Sequence, residues 1–270
     1  MPVHEYRELK PGPEAEAIYR RWLARLNEEF TNHQSPDIRA QIVRDELYQL
    51  YLGRPHGGPA KATLNTELAM HTLSESFDPR NITLEPEYYG DVDAKQYALR
   101  KPLIWFWQMF DRSPVGLNHW LGFRFRCMLG RHLFRHLGKH VKIFHNVEFT
   151  YGYNLTIEDG CTIHKNVMLD DRGEIILHQG TSVSDYANIY SHTHNINHQA
   201  DVTNKVTELG PHARVTYHAT VLAGSNIGEN AMLGAFGLAT KPVPPNTVAV
   251  GIPAQVKVRK DPSIQRPNKP

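Results

Sequence analysis

The sequence predicts a mainly β protein in which an α-helical region precedes a solenoid of short β-strands, a β-helix. The main observation is an aliphatic residue at every sixth position over most of residues 157–244. Neither the 3.6-residue period of an α-helix nor the alternation of a single strand produces a period of six. A β-helix does, because each six-residue repeat forms one flat side of a triangular coil. The aliphatic series is Ile157, Ile163, Leu169, Leu177, Val183, Ile189, Leu209, Val215, Val221, Ile227, Leu233 and Ala239.

A second observation concerns the residues four places after these aliphatic positions, which are mostly small or β-branched. They are Cys161, Val167, Thr181, Ala187, Thr193, Ala213, Ala219, Ser225, Ala231 and Gly237. We expect each aliphatic side chain to fill the interior and the small residue to fit the tight corner beside it. The solenoid is predicted over residues 141–250, with 251–270 as a C-terminal tail. The period is lost over residues 191–208, so we expect an external loop there, the kind of place where sites are often built.

The residues before the solenoid have the periodicity and the capping signals of α-helices. Residues 13–30 carry apolar side chains at helical spacing, which predicts an amphipathic helix. A second helix is predicted over 35–53, with Pro36 at its first helical position. A third is predicted over 63–77. We therefore assign residues 1–115 to an α-helical N-terminal region.

Residues 116–140 are predicted to form an amphipathic helix that caps the solenoid. One face of this helix is apolar, and another carries Arg124, Arg131 and Arg135. A basic amphipathic helix can also lie on an anionic membrane surface, so residues 102–137 leave peripheral membrane contact open as an alternative. The cap is favoured, because the open end of a β-helix needs a cover that prevents edge pairing with other chains.

Composition argues against several classes of function. The 270-residue chain has 30 basic and 28 acidic residues, a net charge of +2, which gives no broad polycationic surface for nucleic acid. The start of the chain lacks the apolar segment of a secretory signal, and no apolar run reaches the length of a membrane span. The two cysteines, Cys127 and Cys161, suit buried thiols better than a disulfide, as in a reducing compartment. We therefore expect a cytoplasmic protein that binds no nucleic acid.

Four motifs, in the right order, resemble the hexapeptide-repeat O-acetyltransferases, in particular the maltose, galactoside and nodulation sugar acetyltransferases. They are the start of the first coil at 137–157, a double-aspartate turn at 167–177, a histidine-bearing segment at 187–195, and the last coil and tail at 233–260. The resemblance implies a left-handed β-helix, a homotrimer with its active site between subunits, acetyl-CoA as the donor and no metal. The function it implies is transfer of an acetyl group to a hydroxyl of a sugar or sugar-containing acceptor.

Acetyl transfer to a hydroxyl group requires a general base within hydrogen-bond reach, and histidine suits that task near neutral pH. His194 ends the segment before the external loop. It matches the family's catalytic histidine when Asp171 is aligned to the second aspartate of the turn. His192 is the alternative, because two residues that are two positions apart on an extended segment project to the same side. Spacing alone does not separate the two histidines.

The predicted acceptor site contains Asp171, Asp170 and Thr150. Asp171 matches the family's substrate-binding aspartate, and carboxylates accept hydrogen bonds from the hydroxyl groups of a diol. Thr150 lies where the family has a hydroxyl or carboxylate group, whereas a charged turn is the favoured interpretation of Asp170. Cys161 and Ile163 stand where the family has a tyrosine and an asparagine. Two polar contacts to the acceptor are therefore missing, and the sequence does not identify it.

The predicted donor site lies in the last coils and the tail, where the resemblance implies a CoA-binding groove between neighbouring subunits. Gly234 and Ala235 would let the pantetheine chain approach the backbone closely. Thr240 and Lys241 match positions that reach the phosphates of CoA. The full predicted set is Tyr217, Gly234, Ala235, Thr240, Lys241 and Arg259.

Two other functions remain as alternatives, since a solenoid does not by itself fix a reaction. A zinc-dependent enzyme similar to the γ-type carbonic anhydrases would need three histidines around an open metal site. The candidates are His192, His194, His198, His212 and His218, but their spacing differs from the pattern of that family. The other alternative is a non-catalytic trimeric scaffold. Assays for zinc and for CoA binding would separate the three classes.

Overall fold

The computed structural model describes residues 10–57 and 68–261 and shows α-helices followed by a parallel β-solenoid. The helices are α1 (Pro13–Asn32), α2 (Pro36–Leu52), α3 (Leu68–Glu75), α4 (Ala94–Arg112) and α5 (His119–Leu133), with short 3-10 turns at Pro79–Asn81 and Glu85–Tyr88. The predicted fold class, a β-solenoid behind an N-terminal helical region, is confirmed.

The helix boundaries follow the capping residues of the sequence. Helix α2 begins at Pro36 and stops before Gly53, which has a φ of 67° and donates its N–H to the carbonyl oxygen of Gln49. Glycine is favoured in that left-handed conformation because it has no Cβ. The third predicted helix, over 63–77, corresponds to α3, and its first five residues lie outside the described residues.

The strands are short and follow one another around the coil. They are β1 (His136–Leu137), β2 (Lys142–Ile143), β3 (Glu148–Phe149), β4 (Leu155–Ile157), β5 (Thr162–Ile163), β6 (Met168–Asp170), β7 (Glu174–Leu177), β8 (Ser182–Val183), β9 (Asn188–Tyr190), β10 (His192–His194), β11 (Val202–Asn204), β12 (Val206–Leu209), β13 (Arg214–Val215), β14 (Thr220–Val221), β15 (Met232–Leu233), β16 (Leu238–Ala239), β17 (Thr247–Val250) and β18 (Gln255–Arg259).

Three parallel sheets form the faces of the solenoid, in the orders β1-β4-β7-β12, β2-β5-β8-β13-β15-β17 and β3-β6-β9-β14-β16. The second face shows about six turns. These three faces form the wall of the solenoid. Strand β18 pairs antiparallel with β17, and β10 pairs antiparallel with β11 outside the wall. Strand β1 pairs with β4, so the solenoid begins inside the segment predicted as a capping helix, before the expected start at residue 141.

The aliphatic series lies in the interior, as the six-residue period predicts. Every member from Ile157 to Leu233 is at most 1% exposed. Burial of one such side chain stabilises the fold by about 1.5–3 kcal/mol, so the series supplies much of the apolar core. The predicted corner residues are also buried, with the exception of Thr193. That prediction was wrong, because the chain leaves the wall directly after Ser191.

Helices α4 and α5 cover the first coil. The indole N–H of Trp107 donates to the carbonyl oxygen of Val147 at 2.9 Å. The buried Arg126 guanidinium binds the carboxylate of Asp111, which also accepts the backbone N–H of Asn146 at 2.7 Å. Helix α5 contacts β1 and β2 of the first coil, and its Phe125 stacks on Trp22 of α1 and Phe110 of α4. Across residues 10–57 and 68–261, no helix has an apolar stretch long enough to span a bilayer.

Candidate active site

The chain leaves the wall after Ser191 and returns at Lys205, and the excursion between them is an antiparallel hairpin. Strands β10 and β11 pair so that His192 lies opposite Asn204. A hydrogen bond of 2.7 Å from the Lys205 N–H to the Ser191 carbonyl oxygen closes the base of the hairpin. The predicted external loop is therefore an ordered ribbon. It is shorter than expected, because β12 already pairs with β7 in the wall.

His192 is held by a carboxylate of the neighbouring coil. Its Nδ1 lies 3.0 Å from Oδ1 of Asp170, and the two side chains are 13% and 11% exposed. Asp170 itself stands at the end of β6 and pairs in register with Tyr190 of β9. The His192–Asp170 pair therefore bridges two coils at the point where the hairpin departs.

His194 is exposed, and a backbone group holds its ring. Its Nδ1 lies 2.7 Å from the carbonyl oxygen of Gln199, on the far side of the hairpin turn. The rings of His192 and His194 pack edge to face, with centroids 5.1 Å apart at an interplanar angle of 81°. The structure thus brings both candidate bases together, on one side of the ribbon.

The partners of the two rings fix which nitrogen can act as a base. A carbonyl oxygen and an ionised carboxylate accept hydrogen bonds but do not donate them, so in each neutral ring Nδ1 carries the proton. The lone pair then lies on Nε2, which is the arrangement a general base needs. By this criterion, His192 and His194 are both suitable.

Asp171 points in the opposite direction, into the wall. Its side chain is fully buried, and its oxygens accept the backbone N–H groups of Thr150 at 2.9 Å, Tyr151 at 2.7 Å and Asn154 at 3.2 Å. Burial raises the pKa of Asp171 to about 7, although the backbone donors act to lower it. Asp171 and Thr150 bind each other and join two coils. A contact of either with an acceptor stays a prediction, and their positions favour a structural role.

An open cleft of about 410 Å³ lies beside the hairpin and contains both histidines. Its lining residues are Tyr190, His192, Thr193, His194, Lys205, Leu222, Ala223, Ser225 and Thr240. Thr240 comes from the predicted donor site, two coils further along the wall. The cleft therefore joins the predicted catalytic residues to one end of the predicted CoA-binding set.

The other predicted donor residues lie outside that lining. Tyr217 is 57% exposed, and Ala235, Lys241 and Arg259 are also on the surface. Gly234 is buried, and a Cβ at this position would lie 2.6 Å from a methyl group of Val250. Close packing against the last coil thus explains this glycine without a ligand. The donor roles of these residues stay predictions.

Six residues that line the cleft were not in the predicted site: Tyr190, Thr193, Lys205, Leu222, Ala223 and Ser225. Tyr190 and Lys205 flank the hairpin on either side, and Ser225 occupies a corner of a later coil. Lys205 brings a positive charge to the cleft that contains the histidines. The sequence could have indicated Lys205, because it lies just before the six-residue period resumes, where the chain re-enters the wall.

A second cleft of about 500 Å³ lies between α4 and the face that contains β3, β6 and β9. Its polar lining includes Gln108, Arg112, Glu148 and Asn188. It holds none of the candidate catalytic or donor residues. Over the described ranges 10–57 and 68–261, no three His, Cys, Asp or Glu side chains are grouped so that they could hold a metal ion. No observation in that part of the chain therefore favours the zinc alternative.

Known acetyltransferases share both sequence and fold with this chain, although no family model matches it. The galactoside O-acetyltransferase of Escherichia coli strain K12 is 25% identical over 144 residues, which are 53% of this chain and 62% of that protein. The putative colanic acid biosynthesis acetyltransferase WcaF of the same strain is 29% identical over 163 residues, which are 59% of this chain and 86% of WcaF. The chain thus spans less than two thirds of the galactoside enzyme.

A similar solenoid occurs in a solved hexapeptide-repeat acetyltransferase, VCA0836 from Vibrio cholerae, in complex with acetyl coenzyme A. That structure superposes with a TM-score of 0.54 and covers 68% of this chain and 98% of its own. The sequence identity of 19% makes this a likeness of fold. Together, the relatives and the shared solenoid confirm the predicted resemblance: in sequence and in fold, this chain is similar to the hexapeptide-repeat acetyltransferases.

Proposed function

We propose that the chain is an O-acetyltransferase that moves an acetyl group from acetyl-CoA to a hydroxyl of a sugar or sugar-containing acceptor. The observation that carries this proposal is the cleft in which two histidines meet, each with its Nδ1 held by an acceptor and its Nε2 available as a base. The similarity to a galactoside O-acetyltransferase and to WcaF supports the reaction class.

His194 is the proposed general base, with His192 as the alternative. The resemblance favours His194, and the hydrogen bond to the Gln199 carbonyl gives its ring the required tautomer. His192 has the stronger partner, since an ionised carboxylate stabilises the imidazolium that forms when the base takes a proton. In both assignments, Asp170 belongs to the site through its contact with His192.

The reaction needs no group beyond those of the chain and its two substrates. Nε2 of the base removes the proton of the acceptor hydroxyl as the oxygen attacks the thioester carbonyl carbon. A C–O bond forms, the carbonyl oxygen becomes an oxyanion, and the tetrahedral intermediate then collapses with cleavage of the C–S bond. The imidazolium returns its proton to the departing CoA thiolate. The products are the acetyl ester and free CoA.

Acetyl-CoA is the proposed donor, and the last coils are its proposed binding region. Thr240 reaches the cleft, and Lys241 follows it on the surface, where an ammonium group could meet a phosphate. Tyr217, Ala235 and Arg259 complete the exposed part of the proposed donor site. The acetyl-CoA complex of the V. cholerae protein supports this choice of donor.

A homotrimer with the site between subunits is also part of the proposal, as is a cytoplasmic location. The cleft is open on a single chain, and His194 and the hairpin project from the wall. A neighbouring subunit would therefore complete the site and shield it from water. Sedimentation equilibrium should show a species of three times the 30.8 kDa chain mass. An active 30.8 kDa species would contradict the shared site.

The experiment that tests the activity is an acetyltransferase assay on the purified chain. Acetyl-CoA is mixed with a panel of glycosides, CoA release is followed with a thiol reagent, and mass spectrometry identifies the acetylated product. We expect CoA release that depends on at least one glycoside and is lost in His194→Ala. Acetyl-CoA binding without transfer to any hydroxyl acceptor would overturn the proposal in favour of a non-catalytic scaffold.

A further inference from the structure

A carboxylate of the N-terminal region lies against the candidate active site. Asp91 stands in the loop between the 3-10 turn Glu85–Tyr88 and helix α4. It accepts hydrogen bonds from Arg172 at 2.9 and 3.3 Å, from the hydroxyl of Tyr151 at 3.0 Å and from the amide of Asn204 at 3.1 Å. One carboxylate thus joins the N-terminal region to three separate segments of the solenoid and its hairpin.

Two of these segments adjoin the His192–Asp170 pair. Arg172 follows two residues after Asp170, and its backbone N–H points to Oδ1 of Asp170 at 3.5 Å. Asn204 is the register partner of His192 across the hairpin. Directly opposed residues of an antiparallel pair project to the same side. Asp91 therefore contacts the chain on both sides of the His192–Asp170 pair.

The charges around Asp91 suit a fixed contact. The Arg172 guanidinium is buried between the Asp91 carboxylate and the ring of Tyr89, whose centroid lies 4.1 Å from the guanidinium carbon. Burial acts to raise the pKa of Asp91, but hydrogen bonds from Asn204, Arg172 and Tyr151 lower it below its ordinary value. The carboxylate is therefore ionised at neutral pH and holds its donors with charge-assisted hydrogen bonds.

The hairpin needs such support because it lies outside the wall. Its residues from Thr193 to Asn204 are largely exposed, with Ile196 at 99%. A surface ribbon of this kind is held by few apolar contacts, and local opening is the expected consequence. A base must stay within hydrogen-bond reach of the hydroxyl it deprotonates, so such opening would misplace both histidines.

We propose that Asp91 is a positioning residue for the acetyl transfer: it fixes Arg172 and strand β11 and thereby holds the hairpin histidines at the cleft. The proposal rests on the proposed function, because it assumes that these histidines act in transfer. It gives the N-terminal region a role in the active site in addition to its role as a cap. Neither Asp91 nor its partners Arg172 and Asn204 line the cleft; Asp91 acts by holding the segments on either side of His192.

Kinetics of three variants of the full chain test the proposal. Asp91→Asn should lower kcat by about tenfold, the scale for a modest displacement of a catalytic group, with the KM for acetyl-CoA unchanged. Asn204→Ala removes the amide that donates to Asp91 from the hairpin, and it should also lower kcat. Glu87→Gln is the matched control: it removes one negative charge from the adjacent 3-10 turn, where Glu87 pairs with Lys101 at 2.8 Å. It should retain the wild-type kcat.

Hydrogen exchange gives a second measurement that needs no acceptor. In Asp91→Asn and Asn204→Ala, peptides that cover residues 190–206 should exchange at least about tenfold faster than in the wild type, the lower end of the scale for one lost hydrogen bond to a charged group. Glu87→Gln should exchange as the wild type does. If the wild type has no transferase activity, the proposed function fails, and exchange still decides whether Asp91 holds the hairpin.

Wild-type kcat and wild-type exchange in both Asp91→Asn and Asn204→Ala would overturn the proposal. Equal losses in Asp91→Asn and Glu87→Gln would overturn it as well, because the cause would then be net charge and not the contact. If Asp91→Asn does not fold, the exposed Asn204→Ala variant decides the question alone.

Discussion

Replacement of His194 by alanine is the most direct perturbation of the proposed base. The change removes an imidazole whose Nδ1 lies 2.7 Å from the Gln199 carbonyl oxygen and whose side chain is on the surface. A sugar hydroxyl has a pKa far above 7, so it attacks a thioester poorly until its proton is removed. Loss of a positioned general base typically costs about 10²–10⁴ in rate. We expect that fall in kcat, with the affinity for acetyl-CoA unchanged.

The Asp170→Asn variant shows which histidine is the base, because the carboxylate of Asp170 contacts His192 and not His194. Nδ1 of His192 lies 3.0 Å from Asp170, and a hydrogen bond to a charged group is worth about 1.5–3 kcal/mol. At about 1.4 kcal/mol per factor of ten, that is about 10–150-fold in rate. If His192 is the base, Asp170→Asn should lower kcat by this factor. With His194 as the base, the loss should stay below about tenfold, since His194 meets Asp170 only through the ring of His192.

The assay is CoA release at saturating acetyl-CoA and acceptor, with His198→Ala as the control. His198 lies on the same exposed hairpin and has no proposed role, so its loss should leave kcat unchanged. A His194→Ala enzyme near wild type, with His192→Ala down by about 10²–10⁴, would move the base to His192. If both variants keep wild-type kcat, the histidine mechanism is refuted for this chain.

Three further predictions concern the donor site, a buried carboxylate and the cap. Lys241→Ala should raise the KM for acetyl-CoA about tenfold at nearly constant kcat, because contact with a remote phosphate is equal in ground and transition states; the exposed Lys257→Ala is the control, and an unchanged KM would remove Lys241 from the donor site. Burial raises the pKa of Asp171 to about 7, so the stability that its protonated form contributes is greatest below about pH 4 and is lost as the pH rises through 7. Urea unfolding at several pH values should therefore show a flatter profile for Asp171→Asn, and an unchanged slope would argue against the raised pKa. Arg126→Met leaves the buried Asp111 without its charge partner and should lower the free energy of unfolding by about 3–5 kcal/mol, whereas an unchanged urea midpoint would show that the pair does not hold the cap.

The coils of the solenoid could be predicted because periodicity reports burial directly. Each aliphatic residue of the series must point inward for the wall to close, and the spacing in the sequence records that requirement. The first coil was harder to find. Ile143 and Phe149 continue the series backwards, but Phe149 and Ile157 are eight residues apart, as are Leu169 and Leu177. In both places the two extra residues lie in the bend between two faces of the coil.

The alternation of inward and outward side chains also predicts which of the two adjacent aspartates, Asp170 or Asp171, points out of the solenoid. Successive residues of an extended segment point to opposite sides, so an inward Leu169 places Asp170 outward and Asp171 inward. The structure agrees, with Asp170 on His192 and Asp171 on backbone N–H groups. The family resemblance favours Asp171 as the substrate contact, whereas the alternation within the chain favours Asp170 as the outward carboxylate, which contacts His192.

The contacts of Asp91 that hold the hairpin could not be predicted from the sequence. Asp91 is separated from Arg172 by 81 residues and from Asn204 by 113, and no local pattern or period relates positions so far apart. Contacts of this kind depend on how the N-terminal region docks on the solenoid. That docking depends on packing between α4, α5 and the first coil, which single-sequence periodicity does not report.

The break in the six-residue period also gives a physical reason for the position of the site. Within the wall, the backbone of each coil pairs with the next, and apolar packing fixes each inward side chain. A hairpin outside the wall has neither form of support, so its histidines are held by individual hydrogen bonds, to Asp170 and to the Gln199 carbonyl. Asp91 extends this support to the opposite strand, and helix α4, which covers the first coil, begins three residues later. The helices that cover the first coil and the Asp91 contacts that hold the hairpin thus belong to one structural unit. A variant that loosens the helices at Arg126 should therefore destabilise the hairpin as well as the whole fold.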